Sequence, residues 1–244
     1  MANDTIEFAG DYDLSSIVLH NHLNQGISPR TKGTDIKHLV QEFNIYENMF
    51  SGAITGSLVV ADTQNLIGNL PIQGTERLSF KLATPGAHKA AHIVDCTEES
   101  GHPMYIYKLA NKQQAKDGMQ TYTLHFCSRE FLRNLRTRVS QAYSGRIDQM
   151  VSSIFGDENY LDSRNQLNFQ KTRNQDKIVI PNLRPFTAIA MLCKRALGDN
   201  SNSAGYHFWE TTKGFHFRSW ESLCVDEMGN PRPAKQVFRY MPMK

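Results

Sequence analysis

Four groups of residues have the types and spacing that could do chemistry. His88 and His92, in Gly86-Ala-His-Lys-Ala-Ala-His with Asp95 behind them, could set two imidazoles on one helix face as metal ligands. The stretch runs straight into a strand pattern, however, where an i, i+4 pair shares no such ligand geometry, so a surface loop is the expectation. His20-Asn21-His22 puts three polar residues together at a strand end, an arrangement that needs no catalytic explanation. Tyr206, Phe208, Trp209, Phe215, Phe217 and Trp220 could form a base-stacking platform, but alternation sends most of them to one face, as a buried core would. Arg129, Arg133 and Arg136 recur at about one helical turn and could track phosphates or face a protein partner.

Catalytic signatures are missing. The chain has no GxxxxGK[ST] or GxGxxG to cradle a phosphate, no GxSxG elbow and no HExxH pair. The expectation is therefore a non-enzymatic protein with no catalytic residues, no cofactor and no metal site. Cys96, Cys127, Cys193 and Cys224 lie far apart without a CxxC pair, which suits reduced thiols better than a disulfide scaffold.

Over 244 residues, 40% are hydrophobic and 10% aromatic, enough for one or two folded domains with real cores. No apolar run approaches the ~20 residues of a membrane span, and Met1-Ala-Asn-Asp-Thr-Ile-Glu-Phe is too acidic for a signal peptide. The net charge of +3 hides an asymmetry. Residues 1–124 carry nine Lys/Arg against thirteen Asp/Glu, and residues 125–244 carry eighteen against eleven. The basic half would suit nucleic acid, an acidic protein neighbour or plain solvated surface.

The elements that must position these groups divide at Ser128. Before it, β-type alternation recurs at 16–20, 35–50, 53–61, 76–83, 92–96, 104–109 and 121–126, with a short helical piece at 65–70. Seven such runs separated by Gly, Pro and Asn turns predict an antiparallel barrel or sandwich. After Ser128, a good N-cap, the period becomes 3.6, with Phe131, Leu132, Leu135, Val139 and Tyr143 on one face of a helix ending at Ser144-Gly145. A second helix follows with Ile147, Met150, Val151, Ile154 and Phe155 inward. A third opens at Pro185, burying Phe186, Ile189, Ala190, Cys193, Ala196 and Leu197, and stops at Gly198. A strand at 177–181 precedes it, and a hairpin turning at Thr211-Thr212-Lys213-Gly214 follows. The predicted fold is mainly β plus α+β: a barrel-like domain at 1–127 and a smaller α+β domain at 128–244 with about three helices and an aromatic β-hairpin. Glu42, Glu47, Arg77 and Lys81 fall on outer faces of the strands, as a polar subunit interface would require.

Asp176-Lys-Ile-Val-Ile-Pro-Asn-Leu-Arg-Pro-Phe-Thr-Ala-Ile-Ala-Met-Leu-Cys-Lys-Arg-Ala196 resembles the baseplate hub proteins of contractile-tailed phages. The matching positions are Asn182, Pro185, Phe186, Ala188 and Ile189, followed by the aromatic hairpin. Ile45-Tyr46-Glu47 and Gly56-Ser-Leu-Val-Val-Ala-Asp62 are similar to that family's opening barrel. The resemblance implies a structural virion component of a tail baseplate hub, made in the host cytoplasm. It implies a homotrimeric ring joining tail tube to central spike, with baseplate wedge proteins as further neighbours, and no nucleic acid required. Hubs of this kind carry a second barrel, which the resemblance would place in a longer polypeptide or another subunit. Interface residues expected from the strand faces and the arginine helix are Glu42, Glu47, Arg77, Lys81, Arg129, Arg133 and Arg136. The alternative reading is a nucleic-acid-binding β-barrel protein using the Arg129/Arg133/Arg136 helix and the aromatic hairpin.

Overall fold

A computed structural model describes residues 12–21, 32–69, 72, 74–83, 93–114, 118–199, 204–225 and 230–233. Eight strands form one antiparallel sheet: β1 (Asp13–His20), β2 (Thr34–Asp35), β3 (Val40–Tyr46), β4 (Thr55–Asp62), β5 (Arg77–Ala83), β6 (Ile93–Cys96), β7 (Met104–Gln114) and β8 (Gln120–Cys127). Their order is β2-β1-β5-β7-β8-β4-β3, with β6 also paired to β5. All seven predicted runs are present as strands. The 35–50 run differs at its start, where Lys37–Leu39 make a single 3-10 turn before β3 begins.

Alternation explains the core. Leu58 and Val60 of β4, Leu78 and Phe80 of β5, and Tyr122, Leu124 and Phe126 of β8 point inward and are fully buried. Phe43, Phe80 and Phe126 form an aromatic triad, with centroid separations of 4.9, 5.7 and 5.8 Å. Gly56 is required here, because a Cβ would lie 2.2 Å from the Phe126 ring and 2.4 Å from the Asn44 carbonyl. The sheet curls into a half-barrel rather than closing by strand pairing. The segment entering β3 crosses the gap, with Ile36 N–H donating to Ile17 O at 2.8 Å and the Lys37 ammonium to Leu14 O. A short helix, α1 (Leu66–Asn69), follows β4; Asp62 accepts from Leu66 N–H at 2.7 Å and from the Tyr122 hydroxyl at 3.2 Å.

Residues from 129 onward build a second apolar cluster. The helices are α2 (Arg129–Arg136), α3 (Ile147–Gly156), α4 (Pro185–Cys193) and the short α5 (Trp220–Cys224). The strands are β9 (Val139–Arg146), β10 (Leu167–Phe169), β11 (Gln175–Leu183), β12 (Tyr206–Thr211) and β13 (Gly214–Ser219). β12 and β13 are the aromatic hairpin, β10 adds in parallel to β13, and β9 pairs with β11 as a separate two-stranded ribbon. The α3 stripe is as predicted: Ile147, Met150, Val151, Ile154 and Phe155 are all buried. Ile189, Phe215 and Phe217 complete the cluster.

Two helix expectations are corrected. The helix from Ser128 ends at Arg136, and Val139–Arg146 is strand. Phe131, Leu135, Val139 and Tyr143 are four apart, a spacing that is also even, so it fits period 2 beyond residue 138. Pairing of β9 with β11, Val139 to Leu183 through Arg146 to Gln175, decides between the two periods. On α2 the buried residues are Glu130 and Asn134, while Leu135 is 41% exposed. Phe186 is only partly buried, in contrast to fully buried Ile189, because its ring sits at the rim of the cluster, 5.9 Å from Phe208 and against Gly52, and Ala190 is exposed rather than buried. His22, His88, His92 and the 236–241 segment lie outside the described residues.

Candidate functional site

The most elaborated polar region is the seam where the half-barrel meets the later residues. The loop after β3, residues 47–54, is gripped from several directions. Ser128 N–H donates to Ile54 O at 3.1 Å, and Ile54 N–H donates to Glu210 Oε2 at 2.7 Å. Thr212 N–H donates to Glu47 Oε1 at 2.7 Å, and the Phe186 ring covers Gly52. Phe50, 73% exposed, meets His207 and Trp220 edge-on to tilted at 5.5 and 6.2 Å. These contacts arise because the β12–β13 turn carries Glu210 and Thr212 to the end of β3. Gly214 makes that turn possible: its φ is +113° and a Cβ would sit 2.6 Å from Gln166 O.

Beside this loop opens a cleft of about 480 Å³, lined by both parts of the chain. Its deepest polar residues are Ser128, Glu130 and Glu210, at 4%, 3% and 5% exposure. Burial pushes the Glu210 carboxyl up to about 8, the neighbouring Glu130 adds to the rise, and the nearby Ser128 hydroxyl and the hydrogen bond from Ile54 N–H oppose it. Burial likewise pushes the nearby Cys96 thiol up to about 12, so this cysteine stays protonated and inert. Glu130 accepts from the Ser163 hydroxyl at 2.5 Å and from Asn165 Nδ2 at 3.2 Å. A second buried carboxylate, Asp148, is structural. Burial would raise it, but hydrogen bonds from Arg146 and from the hydroxyl and amide of Thr172 outweigh that and hold it below the ordinary range.

The residues expected at interfaces are not gathered at one place. Glu42 is exposed on the edge strand β3, its carboxylate accepting from Asn44. Glu47 is spent on Thr212 N–H, Arg77 is paired with Glu98 at 2.9 Å, and Lys81 with Asp95 at 3.5 Å. Arg129 donates to Asp162 Oδ2 and to Asp162 O, both at 2.6 Å. Arg133 donates to Tyr160 O at 3.0 Å and to Glu158 O. These two arginines tie α2 to the loop after α3 and are not a free stripe; Arg136 is exposed. The hairpin aromatics Tyr206, Phe208, Phe215 and Phe217 are buried, so they offer no stacking platform to a nucleic acid. Among the described residues no group of three or more His, Cys, Asp or Glu is placed to hold a metal ion, and no helix is long and apolar enough to cross a membrane. In the sequence Ser128 reads only as an N-cap, Glu210 only as a charge inside the aromatic run Phe208-Trp209-Glu210, and Glu130 gives no signal.

Besides the short strands β2 and β6, two strands of the half-barrel have an outer edge without a strand partner among the described residues. β3 pairs with β4 on one side and has no strand on the other among the described residues. β7 pairs with β8 along its length, but meets β5 only at Met104 and Tyr105. Beyond Ile106, whose N–H reaches Glu76 O, its outer edge has no strand partner among the described residues.

No family model matches the sequence, and no curated protein matches it. Among solved structures, the chain is similar to the tail protein from Neisseria meningitidis MC58, with 13% identity and a TM-score of 0.49 over 84% of this chain and 50% of that one. It is similar to the 43 kDa tail protein of prophage MuSo2 from Shewanella oneidensis, with 10% identity and a TM-score of 0.49 over 83% and 54%. It is also similar to an E. coli component of the type VI secretion system, with 12% identity and a TM-score of 0.42 over 73% and 47%. The chain spans about half the length of these three structures. The first two are tail proteins and the third is a component of a secretion system. Likeness at this level describes form and assigns no activity.

Proposed function

We propose that this chain is a structural subunit of a tail baseplate hub, forming part of a ring between tail tube and central spike. In this reading residues 1–127 are the ring-forming half, 128–244 face other neighbours, the assembly is a homotrimer, and the protein acts in the virion without catalysis. The single observation that carries it is the unclosed sheet. A long strand whose outer edge has no strand partner among the described residues from Tyr107 to Gln114 is a template for another chain, and ring assembly is one way to satisfy it. Of the expected interface residues, Glu42, Glu47, Arg133 and Arg136 form no ion pair among the described residues, and of these Glu42 on β3 and Arg136 on α2 are not bonded to another element. Native mass spectrometry of the purified chain is expected to give three times 27.7 kDa. A monomer at every concentration would overturn the ring.

A further inference from the structure

Ser128 holds the N-cap position of α2 but makes no cap: its hydroxyl forms no bond to the first turn. That hydroxyl is buried and has no hydrogen-bond partner of good geometry, although it lies near enough to Glu210 to favour the carboxylate. An N-cap serine ordinarily satisfies a helix N–H, and a buried hydroxyl left unpaired is destabilising. Ser128 faces the same cleft as two buried glutamates, each with one oxygen committed: Glu210 Oε2 to Ile54 and Glu130 Oε1 to Ser163 and Asn165. The second oxygen of each has no such bond among the described residues.

We infer that the cleft is a site for a primary ammonium group on an aliphatic stem, with Ser128 Oγ, Glu130 Oε2 and Glu210 Oε1 as its acceptors. An ammonium has three N–H donors and no acceptor, which matches these three oxygens once Glu210 has lost its proton and the Ser128 hydroxyl has turned its own hydrogen to a carboxylate. Cations already present do not neutralise this floor. Arg77 is turned to Glu98 and Arg129 to Asp162. Arg164 and Lys213 are exposed at the mouth, where they suit the carbonyl oxygens flanking a lysine side chain rather than its ammonium. A volume of about 480 Å³ holds such a side chain with adjoining backbone. The ammonium therefore comes from a lysine of another polypeptide or from a free alkylamine. The site lies within one chain and does not depend on the hub reading.

Proton linkage makes the site testable. Glu47 and Glu130 face Glu210 with like charge, and the buried thiols Cys96 and Cys127 add none. Glu210 thus keeps its proton at neutral pH in the empty cleft and releases it to bulk solvent when a cation arrives. The probe is Nα-acetyl-lysine N-methylamide, titrated into the full chain by calorimetry in buffers of different ionisation enthalpy. Saturable binding is expected with close to one proton released at pH 7, and affinity rising about tenfold per pH unit up to about pH 8. The norleucine counterpart, which lacks the ammonium, is expected not to bind. Glu210→Gln and Ser128→Ala should each weaken binding about tenfold or more, and Glu210→Gln should also abolish proton release. Glutamine keeps the acceptor for Ile54 N–H; if that variant melts abnormally, Ser128→Ala carries the test. Equal binding of n-butylamine assigns the site to free amines, and weaker binding assigns it to a polypeptide lysine. Absence of saturable binding at pH 8, equal binding of the norleucine compound, or undiminished binding by Ser128→Ala would overturn the proposal.

Discussion

At the scale of single residues, burial decides which charges matter. Glu210 has a folded-state value of about 8 against an ordinary 4.5, so the folded chain holds its proton more tightly than the unfolded chain. The stability this supplies is fully present below pH 4.5 and is lost as pH rises toward 8, the reverse of an ordinary ion-paired carboxylate. Urea unfolding at pH 5, 6.5 and 8 should therefore show declining stability. Glu210→Gln should flatten the trend and gain about 2–4 kcal/mol at pH 8 relative to the parent. A parent whose stability rises across that range would contradict the assignment. The arginines of α2 provide the opposite case. Arg129 makes two short bonds to Asp162, so Arg129→Ala should cost about 1–2 kcal/mol, while Arg136→Glu should leave the melting temperature within experimental scatter. Equal loss from both would mean that Arg136 is also built into the fold.

Elements were legible where one period held without a competitor. The strands of the half-barrel, α3 and the aromatic hairpin each carry one unambiguous pattern bounded by a turn residue, and each forms close to where its pattern ends. The α2–β9 junction was not legible, because a four-residue spacing satisfies both helix and strand; a partner 29 residues later, Gln175 against Arg146 at one end of the ribbon, settled it through pairing no local window contains. The cleft was hidden for a related reason: Ser128, Glu130 and Glu210 meet only once the hairpin has folded back onto the end of β3. Glycines mark where elements touch. Gly56 lets β4 pass beneath Phe126, so Gly56→Ala should cost about 2–3 kcal/mol in chemical unfolding, since backbone on one side and a locked ring on the other leave no room to shift. A neutral Gly56→Ala would show that the Phe43–Phe80–Phe126 triad is loosely packed.

For the whole molecule, the question is which surfaces other chains occupy. The half-barrel is bridged on one side by the turn at Ile36–Leu39, while β3 and the outer part of β7 have edges without a strand partner among the described residues. The β9–β11 ribbon is also exposed, with Val179 turned to solvent, but it belongs to the more basic half proposed to face tube or spike. Self-association through the β-half would shield the backbone N–H groups of 40–46 and 107–114 and leave the ribbon's outer edges unchanged. Amide hydrogen exchange at decreasing protein concentration separates these surfaces. Peptides covering β3 and β7 are expected to lose protection as the ring dissociates, with 139–146 and 175–183 exchanging at a constant rate. Loss confined to the ribbon would move the self-association surface to the other half of the chain. Concentration-independent exchange everywhere would mean that the open edges are filled by a different protein, and that this chain enters the assembly as a monomer.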